Sequence, residues 1–113
     1  MAALDLVVGS RTVVQSAPVS DCDNKAKTSL TSVLQNATEA GDGTHEWFAH
    51  GASDANGQFT SAAAVNCFPV GTGYVVTITC TAEIPPNPQT AADICNKIST
   101  AFGATAAPAG GSK

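Results

Sequence analysis

The chain is poor in charge and in aromatic rings and has no closely spaced cysteines, and each shortage narrows what it can do. Charged residues make up 12% of the 113 residues, against about 25% in an average globular domain. A surface so poor in charge must be built largely from Ser, Thr, Asn, Gln and Gly. The net charge is −4, and the five basic residues, Arg11, Lys25, Lys27, Lys97 and Lys113, do not cluster. Without a basic patch nothing can track a phosphate backbone or hold an anionic membrane, so no nucleic-acid partner is expected. No run approaches the ~18 apolar residues of a spanning helix, so no membrane insertion is expected either.

Two further absences concern compartment and chemistry. The opening Met1-Ala-Ala-Leu-Asp5 lacks a basic stretch followed by an apolar one, so no secretion leader is legible. The four cysteines, Cys22, Cys67, Cys80 and Cys95, are too far apart for C-x-x-C zinc or thioredoxin-type sites. An even count in a small, charge-poor chain points instead to a disulfide framework and an oxidising compartment. The expectation is an exported bacterial protein, secreted or periplasmic, whose leader has already been removed. Aromatics are only 5% of the chain and alanine is abundant. Since burial contributes roughly 25 cal/mol per Å², such a core is thin and cross-links matter.

What is present reads as alternating strand and helix. Residues 4–16 are rich in β-branched side chains, with Leu4, Leu6 and Val8 at strand period and Gly9 marking a bulge. Ser20-Asp-Cys-Asp23 reads as a capping box, followed by Cys22, Ala26, Leu30, Val33, Leu34 and Ala37 on one helical face, predicting a helix over 21–39. Residues 45–50 and 59–68 read as strands around the turn at Asn56-Gly57. Residues 74–82 are the strongest strand of all. Ile84-Pro-Pro-Asn-Pro88 cannot extend a ladder. A second helix then starts at an Asn87-Pro88 cap or at a Thr90-Ala-Ala-Asp93 capping box, carries Ala91, Ile94, Cys95, Ile98, Ala101 and Phe102 on one face, and stops at Gly103. Residues 104–113 read as a flexible Ala/Gly-rich tail behind a single domain at 1–103.

The order β-α-β-β-β-α predicts an α+β domain, an antiparallel sheet with two helices on one face. If the chain turns at Gly71-Thr72, Ala63, Val65, Cys67, Val76, Ile78 and Cys80 share the helix-facing side. All four thiols then point into one core. The second helix returns beside the strand it follows, so Cys80 pairs with Cys95 and Cys22 with Cys67. A Cys67–Cys80 bond is disfavoured, because in this register the two are not opposite one another.

Candidate sites are sparse. His45-Glu46 and His50 depart from H-E-x-x-H by one residue. At i, i+5 two ligands diverge by about 140° on a helix, and on a strand they fall on opposite faces. Neither a metal nor a cofactor is expected. No G-x-S-x-G elbow occurs, and no catalytic residue is assigned, although His45 or His50 could serve a small hydrolase. Thr77, Thr79 and Thr81 form an outward row with Val75, extended by Thr60, Ala62, Ala64 and Asn66; β-propensity alone also accounts for it. Pro85 and Pro86 stiffen a loop that would lose little entropy on binding. Trp47 and Phe48 should include one core anchor and one exposed ring, the latter an interface candidate. Asn36-Ala-Thr38 matches the glycosylation sequon but falls inside the predicted helix.

The leading expectation is therefore an exported, disulfide-bonded binding module without catalysis, taking another protein or a glycan through Trp47, the threonine row or Pro85-Pro86. The alternative is an assembly subunit whose apolar first strand, Leu4–Val14, pairs with a neighbouring chain.

Overall fold

A ten-residue strand and a twelve-residue strand, joined by a two-residue turn, form the centre of the molecule. The computed structural model describes residues 3–84, 89–102 and 107–108, with side chains described over 12–83 and 89–102. The elements are β1 (Ala3–Val14), α1 (Val19–Val33), β2 (Gln35–Glu39), β3 (Glu46–His50), β4 (Ser61–Val70), β5 (Gly73–Ile84), α2 (Ala91–Thr100) and a two-residue β6 (Ala107–Pro108). The strands lie in the order β2-β3-β4-β5-β1-β6, and every neighbouring pair is antiparallel. The fold is α+β, a five-strand antiparallel sheet extended by β6, with two helices against one face.

The β4–β5 turn is at Gly71-Thr72, with Val70 opposite Gly73. Gly71 has φ +59, a conformation glycine adopts without steric cost. The register that follows sets Ala63 opposite Cys80, Val65 opposite Ile78 and Cys67 opposite Val76. All six are buried under the helices. Gly73 answers to space rather than φ, since a Cβ there would overlap the Val14 carbonyl. In β1 the pairing slips between Val7 and Ser10, where Gly9 signals a bulge.

Both predicted disulfides are present. Cys22 (α1) bonds Cys67 (β4) and Cys80 (β5) bonds Cys95 (α2), with Cα–Cα separations of 6.1 and 5.8 Å. Each helix is thus tied to one central strand. Cys22, Ala26 and Leu30 of α1 and Ala91, Ile94, Cys95 and Ile98 of α2 are buried against Val65, Val76 and Ile78. Of the predicted second-helix face only Ala101 is exposed. That helix begins at the Thr90/Asp93 capping box, both halves of which are formed.

The first helix differs from expectation at both ends. It starts at Val19 behind Pro18, and no side chain caps it. Ser20 lies inside it, because Asp23, the supposed partner in the capping box, spends both carboxylate oxygens on long-range bonds to His45 and Trp47. It stops at Val33, and residues 35–39, expected as its last turns, form β2. That strand adds one to the predicted order. The 3.6-residue period through Val33, Leu34 and Ala37 is real, but β3 offers a free edge that pairs with Thr38 and Glu39. Asn36, at φ +41, makes the change of direction, a conformation Asn tolerates better than most residues. The sequon therefore lies on an exposed edge strand, not in a helix. Pro69 and Val70, expected in the connection, still belong to β4.

In the tail, Ala107 and Pro108 pair with Arg11 and Ser10. The other tail residues and Pro85, Pro86, Asn87 and Pro88 lie outside the described residues. Among the described residues no helix is long and apolar enough to cross a membrane.

Candidate functional site

Strand alternation gives the sheet a second face that neither α1 nor α2 covers. Val75, Thr77, Thr79 and Thr81 of β5 lie there beside Ala62, Ala64, Asn66 and Phe68 of β4, and Phe48 and His50 of β3 continue the surface. The predicted threonine row is thus real as a row, each residue half-buried by its neighbours. Thr60 does not extend it: it is buried and its hydroxyl donates to the Ala52 carbonyl.

What the sequence did not reveal is how apolar this face is. The exposed large hydrophobics among the described residues are Val13, Phe48, Phe59, Phe68 and Val70, and pairing or ring contact puts all of them on the uncovered side. Phe59 reaches it from the 51–60 loop by stacking on His50, ring centroids 3.6 Å apart and planes 16° from parallel. Phe48 and this stack wall a shallow hollow of about 450 Å³ floored by Ala62, Ala64, Thr79 and Thr81. Hairpin positions around Asp54, whose carboxylate accepts from the Asn56 and Gln58 amides, shape the loop that delivers Phe59. The sequence predicted one exposed ring of the Trp47/Phe48 pair without fixing which, and Phe59, expected as the first residue of a strand, lies in the loop before β4.

Trp47 lies on the other side. It is half-buried against the core, and its indole N–H donates to Asp23 Oδ1 at 2.8 Å. The exposed ring of the pair is Phe48. Asp23 Oδ2 lies 2.8 Å from His45 Nδ1, and the His45 amide donates to Glu39 Oε2 at 3.0 Å. This cluster straps the N-terminal half of α1 to the β2–β3 hairpin. Asp23, Glu39 and His45 bring three ligating atoms within 4.8 Å of one another. To take a cation, His45 and Asp23 would have to exchange their mutual bond for it. His50, on the uncovered face, cannot join His45 in one site.

Two more features complete the polar inventory. The buried Tyr74 hydroxyl donates to Asp21 Oδ2 at 2.8 Å, and Lys25 lies 3.1 Å from the same oxygen. The Tyr74 hydroxyl bond and the Lys25 ammonium hold Asp21 below its ordinary value of 3.8, against the effect of burial. Burial, reinforced by the Asp21 charge, pushes Tyr74 well above 10.0. A second hollow, about 420 Å³, opens between the end of α1, Gly51-Ser53, Ser61 and Ile94. It is more polar than the first and brings together no acid, base and nucleophile in contact.

Compared with known proteins, the chain significantly matches no family model, no curated protein and no solved structure.

Proposed function

We propose that this chain is an exported, non-catalytic recognition module that binds its partner on the uncovered sheet face. One observation carries the reading: every exposed large hydrophobic among the described residues is gathered on that face. Scattered apolar residues need no explanation, whereas a contiguous patch rimmed by polar groups marks an interaction surface. Export is supported by two disulfides that use all four cysteines. The test places a photoreactive benzoylphenylalanine at Phe68 on the face, or at Thr28 on the helix layer, in cells that express the protein. Adducts from position 68 alone, abolished by Phe48→Asp, support the reading. Adducts from position 28 alone, or none, overturn it.

A second reading has its own observation. Among the described residues, the outer edge of β1 is paired only at Ser10 and Arg11. An open edge can accept a strand from another chain, as an assembly subunit would need. Proline at Val7 should then abolish assembly while leaving the outer face intact.

A further inference from the structure

We infer that the occupant of the uncovered face is a second copy of this chain, packed sheet against sheet about a two-fold axis lying between the two faces. The inference rests on reading that face as the binding surface.

Size is the first reason. Strands of 12, 5, 5, 10 and 12 residues, about 4.8 Å apart and rising about 3.3 Å per residue, give a face of roughly 700 Å². A standard interface takes about 800 Å² from each partner, so this face is close to the size a stable dimer needs. The hollow on it is open rather than enclosed, and a flat face suits another flat face. Stacked sheets settle about 10 Å apart with their side chains interleaved.

Relief is the second. Rings stand at the margins, Phe48 and Phe59 at one end and Phe68 at the other, while Ala62, Ala64, Thr79 and Thr81 make a low floor between them. Turned over, one copy can seat its rings on the floor of the other, the self-complementarity an isologous interface requires.

Charge is the third. An acidic protein repels its own copies unless its charge is kept from the contact. Of the charged side chains described, only Glu46 and Glu83 alternate onto this face, both at its margins. Asp21, Asp23, Asp93 and Lys97 stand on the helix layer instead. Among the described side chains, the face carries little charge to repel a second copy.

Sedimentation equilibrium of the purified, disulfide-intact chain is the test. The native chain should be a dimer. Ala64→Arg on the floor and Phe48→Ser on the margin should each weaken it by about 30-fold or more, the scale of an interface hot spot. Phe48 is already 44% exposed, so its variant keeps the fold even where Ala64→Arg does not. Lys27→Ala, on the helix layer, should change nothing. A native chain that stays monomeric at every concentration overturns the proposal. So does a dimer indifferent to both variants whose dilution-dependent amide protection is confined to Ala3–Val7 or Gln35–Glu39, because that pattern is edge pairing. A monomer that still gives position-68 adducts with other molecules refutes self-association alone; one that gives none refutes the binding face as well.

Discussion

The two faces of one sheet carry nearly the same residue sizes and opposite fates. Toward the helices stand Ala63, Val65, Ile78 and Cys80, all at most 5% exposed. One residue along, Ala62, Ala64, Thr79 and Thr81 face outward and are only half-buried. The inner face is closed by two covalent bonds and two helices; neither helix nor any other described element closes the outer. The lesson is that hydrophobicity alone does not distinguish them. What separates the faces is the cysteines, which bond on the inner side, and the phenylalanines, three of the four of which sit on the outer one.

Breaking the staples should separate the faces most sharply. Cys22→Ala with Cys67→Ala opens a 45-residue ring and should cost about 4 kcal/mol, and the 15-residue ring of Cys80–Cys95 about 3 kcal/mol, in the chain-entropy model. Denaturant unfolding of each double variant checks the order. A side chain lost from the inner face comes next: Ile78→Ala should cost about 2–5 kcal/mol, whereas Thr79→Ala beside it should stay within about 0.5 kcal/mol in the dissociated chain.

Tyr74→Phe removes the bond to Asp21 and should cost about 1 kcal/mol, low for a bond to a carboxylate because Asp21 is partly solvated. Its pH dependence has a definite sign. Tyr74 holds its proton more tightly when folded, so its contribution is whole below pH 10.0 and fades as pH rises above it. Asp21 holds its proton less tightly when folded, so its contribution is whole above 3.8 and fades as pH falls below it. Melting curves of native and variant chains should therefore converge at both extremes. The smallest effect has the opposite direction. Thr12 is 5% exposed and its hydroxyl finds no partner among the described residues. Thr12→Val should raise stability by up to about 1 kcal/mol.

Much of the fold was legible because local and long-range preferences agreed. In the hairpin, β-branched residues, alternation and the turn glycine all asked for one register, and the cysteines confirmed it from the helix side. At Thr90/Asp93 the cap and the apolar face of the helix started together. Legibility failed where distant groups outbid local ones. The helical period runs on through Leu34 and Ala37, yet β3 claims residues 35–39 as a strand, and Asp23 gives up a cap with Ser20 for bonds to His45 and Trp47. The candidate site was half legible: Thr77, Thr79 and Thr81 could be read from alternation, but Phe59 comes to the face only because a loop folds over, and no periodicity announces that.

The bonding pattern of the cysteines has a consequence for how the chain is made. The rings closed by Cys22–Cys67 and Cys80–Cys95 follow one another along the sequence, neither nested nor interlaced. A chain that meets its oxidant amino-terminus first therefore presents each thiol to its native partner in order of arrival. In that order of arrival, each native pair is also the first pair available.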